Sequence, residues 1–169
     1  MDLRGKRCVV VGGGRVAERK ARRLLSCGAK VILVSPRVTL RLAELGAGGG
    51  AGKRLGGIIL RRRKVGLRDL SGARLVIVAT ADRELNRRVS DYCHSRGILV
   101  NVVDSPQECS FILPAVVCRG DLVIGISTSG ASPAMAKKIR QDLERRFGRE
   151  YGSLLRRMRK LRKIGVISV

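Results

Sequence analysis

The stretch CVVVGGGRVAERKA, residues 8–21, sets an apolar run directly against three glycines and follows them with residues at helical spacing. A strand that enters a glycine turn and opens a helix is the first half of a βαβ unit, and the helix N-terminus offers unpaired N–H groups to an anion. Gly12-Gly13-Gly14-Arg15-Val16-Ala17 fits the spacing G-x-G-x-x-A. The first glycine permits a tight turn, Gly14 lets backbone approach a pyrophosphate, and Ala17 allows the helix to pack closely on the sheet.

Working outward, residues 7–11 read as a buried strand and 15–26 as a helix with Ala17, Ala21, Leu24 and Leu25 on one face, ending at Gly28. Further strands are expected at 30–35, 58–61, 73–80 and 98–103, with helices at about 39–45 and 82–96. This alternation demands a parallel sheet with helices on both faces, an α/β Rossmann-like fold. The stretch from Gly46 to Gly57 is of low complexity and reads as a flexible excursion. The run Arg61-Arg62-Arg63-Lys64 reads most simply as a solvated edge. After Pro106 the pattern changes. Residues 110–118 and 121–128 are β-type runs joined by too short a link for a parallel crossover, so an antiparallel hairpin is expected. Ser132-Pro133 then opens a helix, with Ser as N-cap and Pro at its first position. From Glu150 onward Leu, Met and Ile alternate with basic residues at helical spacing. That tail could dock on its own domain, on a partner subunit or on an anionic surface. The expected organisation is a dinucleotide-binding domain over 1–109, a small α+β hairpin-plus-helix region over 110–148, and a basic helical tail over 149–169.

Composition bounds the function. Hydrophobic residues make up 44% of the chain and aromatics only 2%, a Val/Ile/Leu/Ala core suited to strands covered on both faces. The start, Met1-Asp2-Leu3-Arg4, lacks the apolar core of a signal peptide, and no apolar run is long enough to cross a membrane, so a soluble cytoplasmic protein is expected. Five cysteines without C-x-x-C spacing indicate neither a disulfide framework nor a metal site; they read as reduced and mostly buried. His94, beside Cys93 on a predicted helix, reads as a surface or packed histidine. The net charge of +23 is compatible with nucleic acid, an acidic membrane or a small polyanion. Scarcity of aromatics argues against single-stranded nucleic acid as the partner, and the preference for Arg over Lys throughout the chain accounts for part of the charge.

Two details concern a bound dinucleotide. An acidic residue about twenty positions after the turn normally takes the ribose hydroxyls of NAD, but here the second strand ends Val34-Ser35-Pro36-Arg37. Arg37 could pair with the 2′-phosphate of NADP or face solvent, and Ser35 with backbone groups could hold a ribose. In NVVDSPQECSFILP, residues 101–114, Asp104 follows an apolar strand directly and so lies at the carboxyl edge of the sheet. There a carboxylate can accept a proton as hydride leaves a neighbouring carbon; it could instead start an Asx-turn before Ser105-Pro106.

Four segments in order, VVVGGGRVAERKARRLL, VIVATADRELNRRVSDYC, NVVDSPQECSFILPAVV and GISTSGASPAMAKKIRQDLE, resemble the precorrin-2 dehydrogenase and sirohydrochlorin ferrochelatase family, the N-terminal module of siroheme synthases. The resemblance runs from Lys6 to about Arg146. It implies NAD-dependent oxidation of precorrin-2, a polycarboxylate tetrapyrrole, to sirohydrochlorin, with Fe2+ inserted at the same site in some members. It also implies a homodimer formed through the region after the nucleotide domain. By this resemblance Asp104 is the catalytic carboxylate, and Arg15, Val16, Pro36 and Arg37 hold the NAD-contacting positions. Thr80, Asp82, Asn101 and Val103 would line the nicotinamide pocket. Ser110, Phe111 and the loop carrying Thr128, Ser129 and Gly130 would border the tetrapyrrole. No resident metal is implied, and the absence of a following methyltransferase module is the pattern of a standalone form. The rival reading is a regulatory module that senses NAD(H) and contacts nucleic acid through its basic tail.

Overall fold

The computed structural model describes residues 2–47 and 57–163, so most of the predicted Gly46–Gly57 excursion lies outside the described residues. The chain divides into two compact units, Met1–Ile112 and Leu113–Val169. In the first, five parallel strands, β1 (Arg7–Val11), β2 (Lys30–Val34), β3 (Ile58–Arg61), β4 (Leu75–Val78) and β5 (Leu99–Val102), form one sheet in the order β3-β2-β1-β4-β5. Three helices cover it: α1 (Arg15–Ser26), α2 (Leu40–Gly46) and α3 (Arg83–Ser95).

Successive strand residues point to opposite faces, and the sequence exploits both. Cys8, Val10, Val31, Leu33, Leu75 and Ile77 pack with Ala17, Ala21, Leu24 and Leu25 of α1 and with Leu42 of α2. Val9, Val11, Ile32, Val34, Val76, Val78, Val100 and Val102 pack with Val89 and Cys93 of α3 and with Leu70. The apolar face predicted for α1 is thus the buried face, residue for residue. Burial pushes the Cys8 and Cys93 thiols up to about 11. Of the other cysteines, Cys109 is half-buried and Cys27 and Cys118 are exposed, so the expectation of mostly buried thiols holds for two of the five.

The outer edge of β5 is covered by the chain that follows it. Ser110 donates its N–H to the Val100 carbonyl at 2.9 Å, and the Val100 N–H donates to Ser110 Oγ at 2.8 Å. For this reason the hairpin begins at Ala115 rather than at Ser110: residues 109–111 are engaged in closing an exposed strand edge.

The basic run after β3 also differs from its sequence reading. Arg61 and Arg63 both pair with Asp69, a carboxylate only 2% exposed in the 3-10 turn Leu67–Leu70, and the Gly66 N–H donates to the same group at 2.9 Å. Two of the four cations therefore anchor the β3–β4 crossover instead of facing water. The Arg63 guanidinium is the main influence holding the Asp69 carboxyl well below the usual carboxylate range; burial opposes it, and the Gly66 N–H and Arg61 reinforce it.

The second unit is built on the antiparallel hairpin β6 (Ala115–Arg119) and β7 (Leu122–Ile126), with α4 (Pro133–Arg146) and α5 (Glu150–Lys163). Ser132 caps α4, its hydroxyl accepting from the Met135 N–H at 3.2 Å, and Pro133 occupies the first helical position. At the other end of α4, Arg119 donates to the carbonyls of Phe147 and Glu144 at 2.9 and 3.1 Å, satisfying groups a helix terminus leaves unpaired. The basic α5 docks on this hairpin. Gly152 lies so close that a Cβ there would sit 2.7 Å from the Arg119 carbonyl oxygen, and Arg159 pairs with Asp121 at 2.8 Å.

The Asp69 cluster yields a stability prediction. A carboxylate whose folded pKa is depressed stabilises the fold above its unfolded value, near 3.9, and that contribution disappears as pH falls through the lower folded value. Asp69→Asn is expected to destabilise the first unit by roughly 1.5–3 kcal/mol at pH 7. Urea unfolding should show the gap from the parent narrowing as pH falls below about 4; an equal gap at pH 7 and pH 3 would refute this account.

Candidate functional site

The carboxyl ends of β1, β2 and β4 surround a cleft of about 570 Å3. Its floor is the glycine turn. Gly12 has φ +116°, and a Cβ there would lie 2.2 Å from the Ala79 carbonyl oxygen; a Cβ on Gly13 would lie 1.9 Å from the Arg37 carbonyl oxygen. Backbone from the neighbouring loops thus fills the space a side chain would need. Gly14 is different: a Cβ there would meet nothing within 4 Å. Its φ of −82° and ψ of −176° are ordinary extended values, so the missing side chain leaves an open cradle at the head of α1. That is the geometry a diphosphate needs, open space under the unpaired N–H groups of a twelve-residue helix. A dinucleotide fits the residues present.

The β2–α2 loop forms one wall and is stitched to the turn. The Thr39 N–H donates to the Gly13 carbonyl at 3.0 Å, and the buried Ser35 hydroxyl donates to the Arg37 carbonyl at 2.6 Å. Ser35, Pro36 and Arg37 all line the cleft, with Lys64 and Val65 beyond β3. The opposite wall comes from the exit of β4 and the start of α3, including Thr80, Asp82, Glu84 and Arg88. Thr80 is held in place by Asn86, 1% exposed: its hydroxyl donates to Asn86 Oδ1 at 2.6 Å, and Asn86 Nδ2 donates to the Thr80 carbonyl at 3.1 Å. Asp82 is also the N-cap of α3, accepting from the Leu85 N–H at 3.0 Å.

Other predicted residues lie around this cleft without lining it. Arg15 and Val16 stand exposed on the first turn of α1, and Ala17 is buried beneath it. Asn101 turns its amide to the Phe111 carbonyl at 3.1 Å, and Val103 and Phe111 pack against the α1-side core. Asp104 follows β5, whose Val102 pairs with Val78 one strand spacing away, about 4.8 Å. It is exposed, with a left-handed backbone at φ +59°. Among the described residues its carboxylate accepts no hydrogen bond, so the alternative Asx-turn is not formed. The turn is instead tied together by Cys109, whose Sγ accepts from the Val102 N–H at 3.1 Å and donates to nearby carbonyls.

Thr128, Ser129 and Gly130 belong to the second unit. There Thr128 Oγ1 donates to the Ser132 carbonyl at 3.1 Å and accepts from the Ser132 N–H at 3.2 Å, and Ser129 and Gly130 adopt positive φ, so this loop shapes the entry to α4.

Sequence reading missed several residues of the first unit. Lys64 was hidden in the charge run, and Glu84 and Arg88 could have been found from their one-turn spacing beyond the Asp82 cap. No motif marks Lys20 on α1. Burial pulls its ammonium below the ordinary value and Arg19 adds to that, while Cys109 and Asp104 act in the opposite direction. Among the described residues, no group of three or more His, Cys, Asp or Glu side chains is arranged to hold a metal ion, and no helix is long and apolar enough to cross a membrane.

An NAD(P)-binding family model matches residues 1–115, and the model for the sirohaem biosynthesis protein central region matches residues 119–146. The chain is 42% identical over 153 residues to a siroheme synthase of Stutzerimonas stutzeri (strain A1501), covering 90% of this chain and 31% of that protein. Identity to a siroheme synthase of Pseudomonas aeruginosa (strain UCBPP-PA14) is 43% over 153 residues, with the same coverages. The chain therefore spans about a third of the length of the curated relatives it matches. Among solved structures, one described as SirC, precorrin-2 dehydrogenase, superposes with a TM-score of 0.79 at 32% identity, covering 100% of this chain and 80% of that one.

The glycines separate folding from binding. Gly13→Ala forces a methyl group into a backbone carbonyl and is expected to destabilise the fold by roughly 1–3 kcal/mol. Gly14→Ala meets no atom, so its melting curve should match the parent while dinucleotide affinity, read by calorimetry, falls at least about tenfold, the loss of roughly one charge-assisted hydrogen bond. Unchanged affinity in Gly14→Ala would show that the diphosphate does not use this cradle.

Proposed function

Because this chain belongs to the precorrin-2 dehydrogenase and sirohydrochlorin ferrochelatase family, the N-terminal module of siroheme synthases, we propose that it oxidises precorrin-2 to sirohydrochlorin with NAD, as a cytoplasmic homodimer. The observation that carries this reading is the placement of Asp104, an exposed carboxylate without a hydrogen-bond partner among the described residues, at a strand exit next to the one that supplies Thr80 and Asp82 to the cleft.

When bound, NAD supplies a hydride acceptor. The chain's own residues do the rest. Gly14 and the first N–H groups of α1 would hold the diphosphate, and the Ser35–Arg37 wall would meet the adenosine side. Thr80, fixed by Asn86, would limit the nicotinamide side. Hydride loss from a carbon of the tetrapyrrole would leave one further proton of the two-electron oxidation to be removed from the same substrate, and Asp104 is the carboxylate suited to take it. The carboxylates of precorrin-2 match the chain's excess of 36 Lys and Arg over 13 Asp and Glu, since arginine pairs carboxylates bidentately. Fe2+ enters this scheme only as a second substrate, with Asp104 again the group suited to take pyrrole N–H protons. The rival sensor reading leaves α5 free for nucleic acid; its docking on the hairpin through Gly152 and Arg159 favours a structural role for that helix.

Anaerobic incubation with precorrin-2 and NAD+ should produce the sirohydrochlorin spectrum. Asp104→Asn is expected to slow that appearance by roughly 10²–10⁴-fold, the usual contribution of a general base, with NAD+ affinity retained. Persistence of the precorrin-2 spectrum in folded, NAD-bound parent protein would remove the dehydrogenase reading, and full activity in the Asp104→Asn variant would remove Asp104 from the chemistry. Adding Fe2+ after the first step tests the chelatase activity separately.

A further inference from the structure

The second unit holds a cavity of its own, of about 480 Å3, where the β6–β7 turn meets α5. We propose that this cavity is a binding site for a phosphoryl group, held by the guanidinium groups of Arg119, Arg149 and Arg156 and by the Ser153 hydroxyl.

Arg119, at the end of β6, is the fixed element. This half-buried side chain is held by three hydrogen bonds: Nε donates to the Phe147 carbonyl at 2.9 Å, and the two terminal nitrogens donate to the Cys118 and Glu144 carbonyls, both at 3.1 Å. A guanidinium carries five N–H donors, so two remain for a ligand. All three acceptors are neutral. The carbonyls at the end of α4 supply only the partial charge of a helix terminus, about half an elementary charge, and among the described residues Arg119 forms no ion pair. A planar cation held in place, half withdrawn from water and short of a counter-ion, is preorganised to receive an anion.

Two further guanidinium groups line the same cavity. Arg149 is exposed just before α5, and Arg156 lies one turn after Gly152 on that helix. Arg156 is set over the β6–β7 turn: a Cβ on Gly120 would lie 3.3 Å from its Nη1, while its Nη2 donates to Ser153 Oγ at 2.9 Å. The close seat of Gly152 on the Arg119 carbonyl brings α5 near enough for these groups to face one space. Among the described residues no carboxylate lines it. The nearby acids are engaged elsewhere: Asp121 pairs with Arg159 at 2.8 Å, Glu144 pairs with Arg140, and the Glu150 carboxylate is folded back over Gly148. Three cations and a hydroxyl around one space suit a dianion with several acceptor oxygens, whereas a single carboxylate fills one guanidinium fork and leaves the other cations uncompensated. The cavity stands at the turn end of the hairpin, with the length of β7 between it and the Thr128–Gly130 loop, so it is separate from the residues expected to border the tetrapyrrole.

The test is calorimetric titration of the full chain with inorganic phosphate, with ribose 5-phosphate and with acetate, at constant ionic strength because salt screens exposed charges. The better phosphoryl ligand is expected to show saturable binding to the parent with a Kd of about 1 mM or below, and acetate to bind at least about tenfold more weakly. Tighter binding of phosphate identifies the free ion as the ligand, and tighter binding of ribose 5-phosphate a phosphoryl group carried on a larger molecule; either order supports the site. Arg149→Ala and Arg156→Ala are each expected to weaken binding roughly tenfold, the loss of one charge-assisted contact, with an unchanged melting temperature because both side chains are exposed. Arg157→Ala, which removes the same charge from α5 outside the cavity, should leave binding intact. Equal weakening in Arg157→Ala would reduce the effect to net charge and overturn the proposal. So would a lack of saturable binding, acetate bound as tightly as phosphate, or phosphate affinity unchanged in both Arg149→Ala and Arg156→Ala.

Discussion

One backbone approach organises the first unit: the Arg37 carbonyl rests where a Cβ of Gly13 would be, and the Thr39 N–H returns a hydrogen bond to the Gly13 carbonyl. This contact joins the β1–α1 turn to the β2–α2 loop and so fixes the distance between the cradle for a diphosphate and the wall that meets its adenosine. The neighbouring contact, the Ala79 carbonyl against Gly12, ties the same turn to the exit of β4. Three strand ends are thereby joined in one rim by main-chain contacts, reinforced by the Ser35 hydroxyl on the Arg37 carbonyl and the Thr39 hydroxyl on Glu18. A residue with any side chain at either glycine would separate them.

The two aspartates discussed above show how differently this chain uses a carboxylate. Asp69 is buried and its carboxylate is held by two guanidinium groups and a backbone N–H, so it serves the β3–β4 crossover. Asp104 stands exposed on a left-handed residue and accepts no hydrogen bond among the described residues. The turn around Asp104 is organised by the Cys109 thiol instead, which leaves the carboxylate outside the structural network.

Much of the first unit was legible in the sequence because its signals are local. Strand-length runs of Val, Ile and Leu, a helical face of Ala17, Ala21, Leu24 and Leu25, and glycines where the chain turns all read without knowledge of the fold. The glycine turn, Ser35 and Arg37, which line the cleft, are readable the same way from motif spacing and the end of a strand, whereas Pro36, Thr80 and Asp82 came only from the resemblance to the family. What escaped was non-local. The partnership of Arg61 and Arg63 with Asp69 depends on a short 3-10 turn folding back, and with those two engaged Lys64 becomes the cation of the run that faces the cleft. Ser110 was read as strand because its neighbours are apolar, whereas its backbone closes the edge of β5, a need visible only once β5 is known to be outermost. Asn86 and Lys20 escaped for a related reason: a polar residue inside a helix has no periodicity to announce it.

The left-handed backbone at Asp104 has an evolutionary corollary. Glycine adopts that conformation without a steric penalty, and asparagine and aspartate tolerate it better than other side chains, which are strained there by about 1–2 kcal/mol. A library of this protein sorted only for heat tolerance would therefore drift toward glycine at position 104, raising the melting temperature while erasing the acidic group at that strand exit. Robustness and chemistry compete at a single torsion angle, and a thermostabilised descendant would need that position held constant by design.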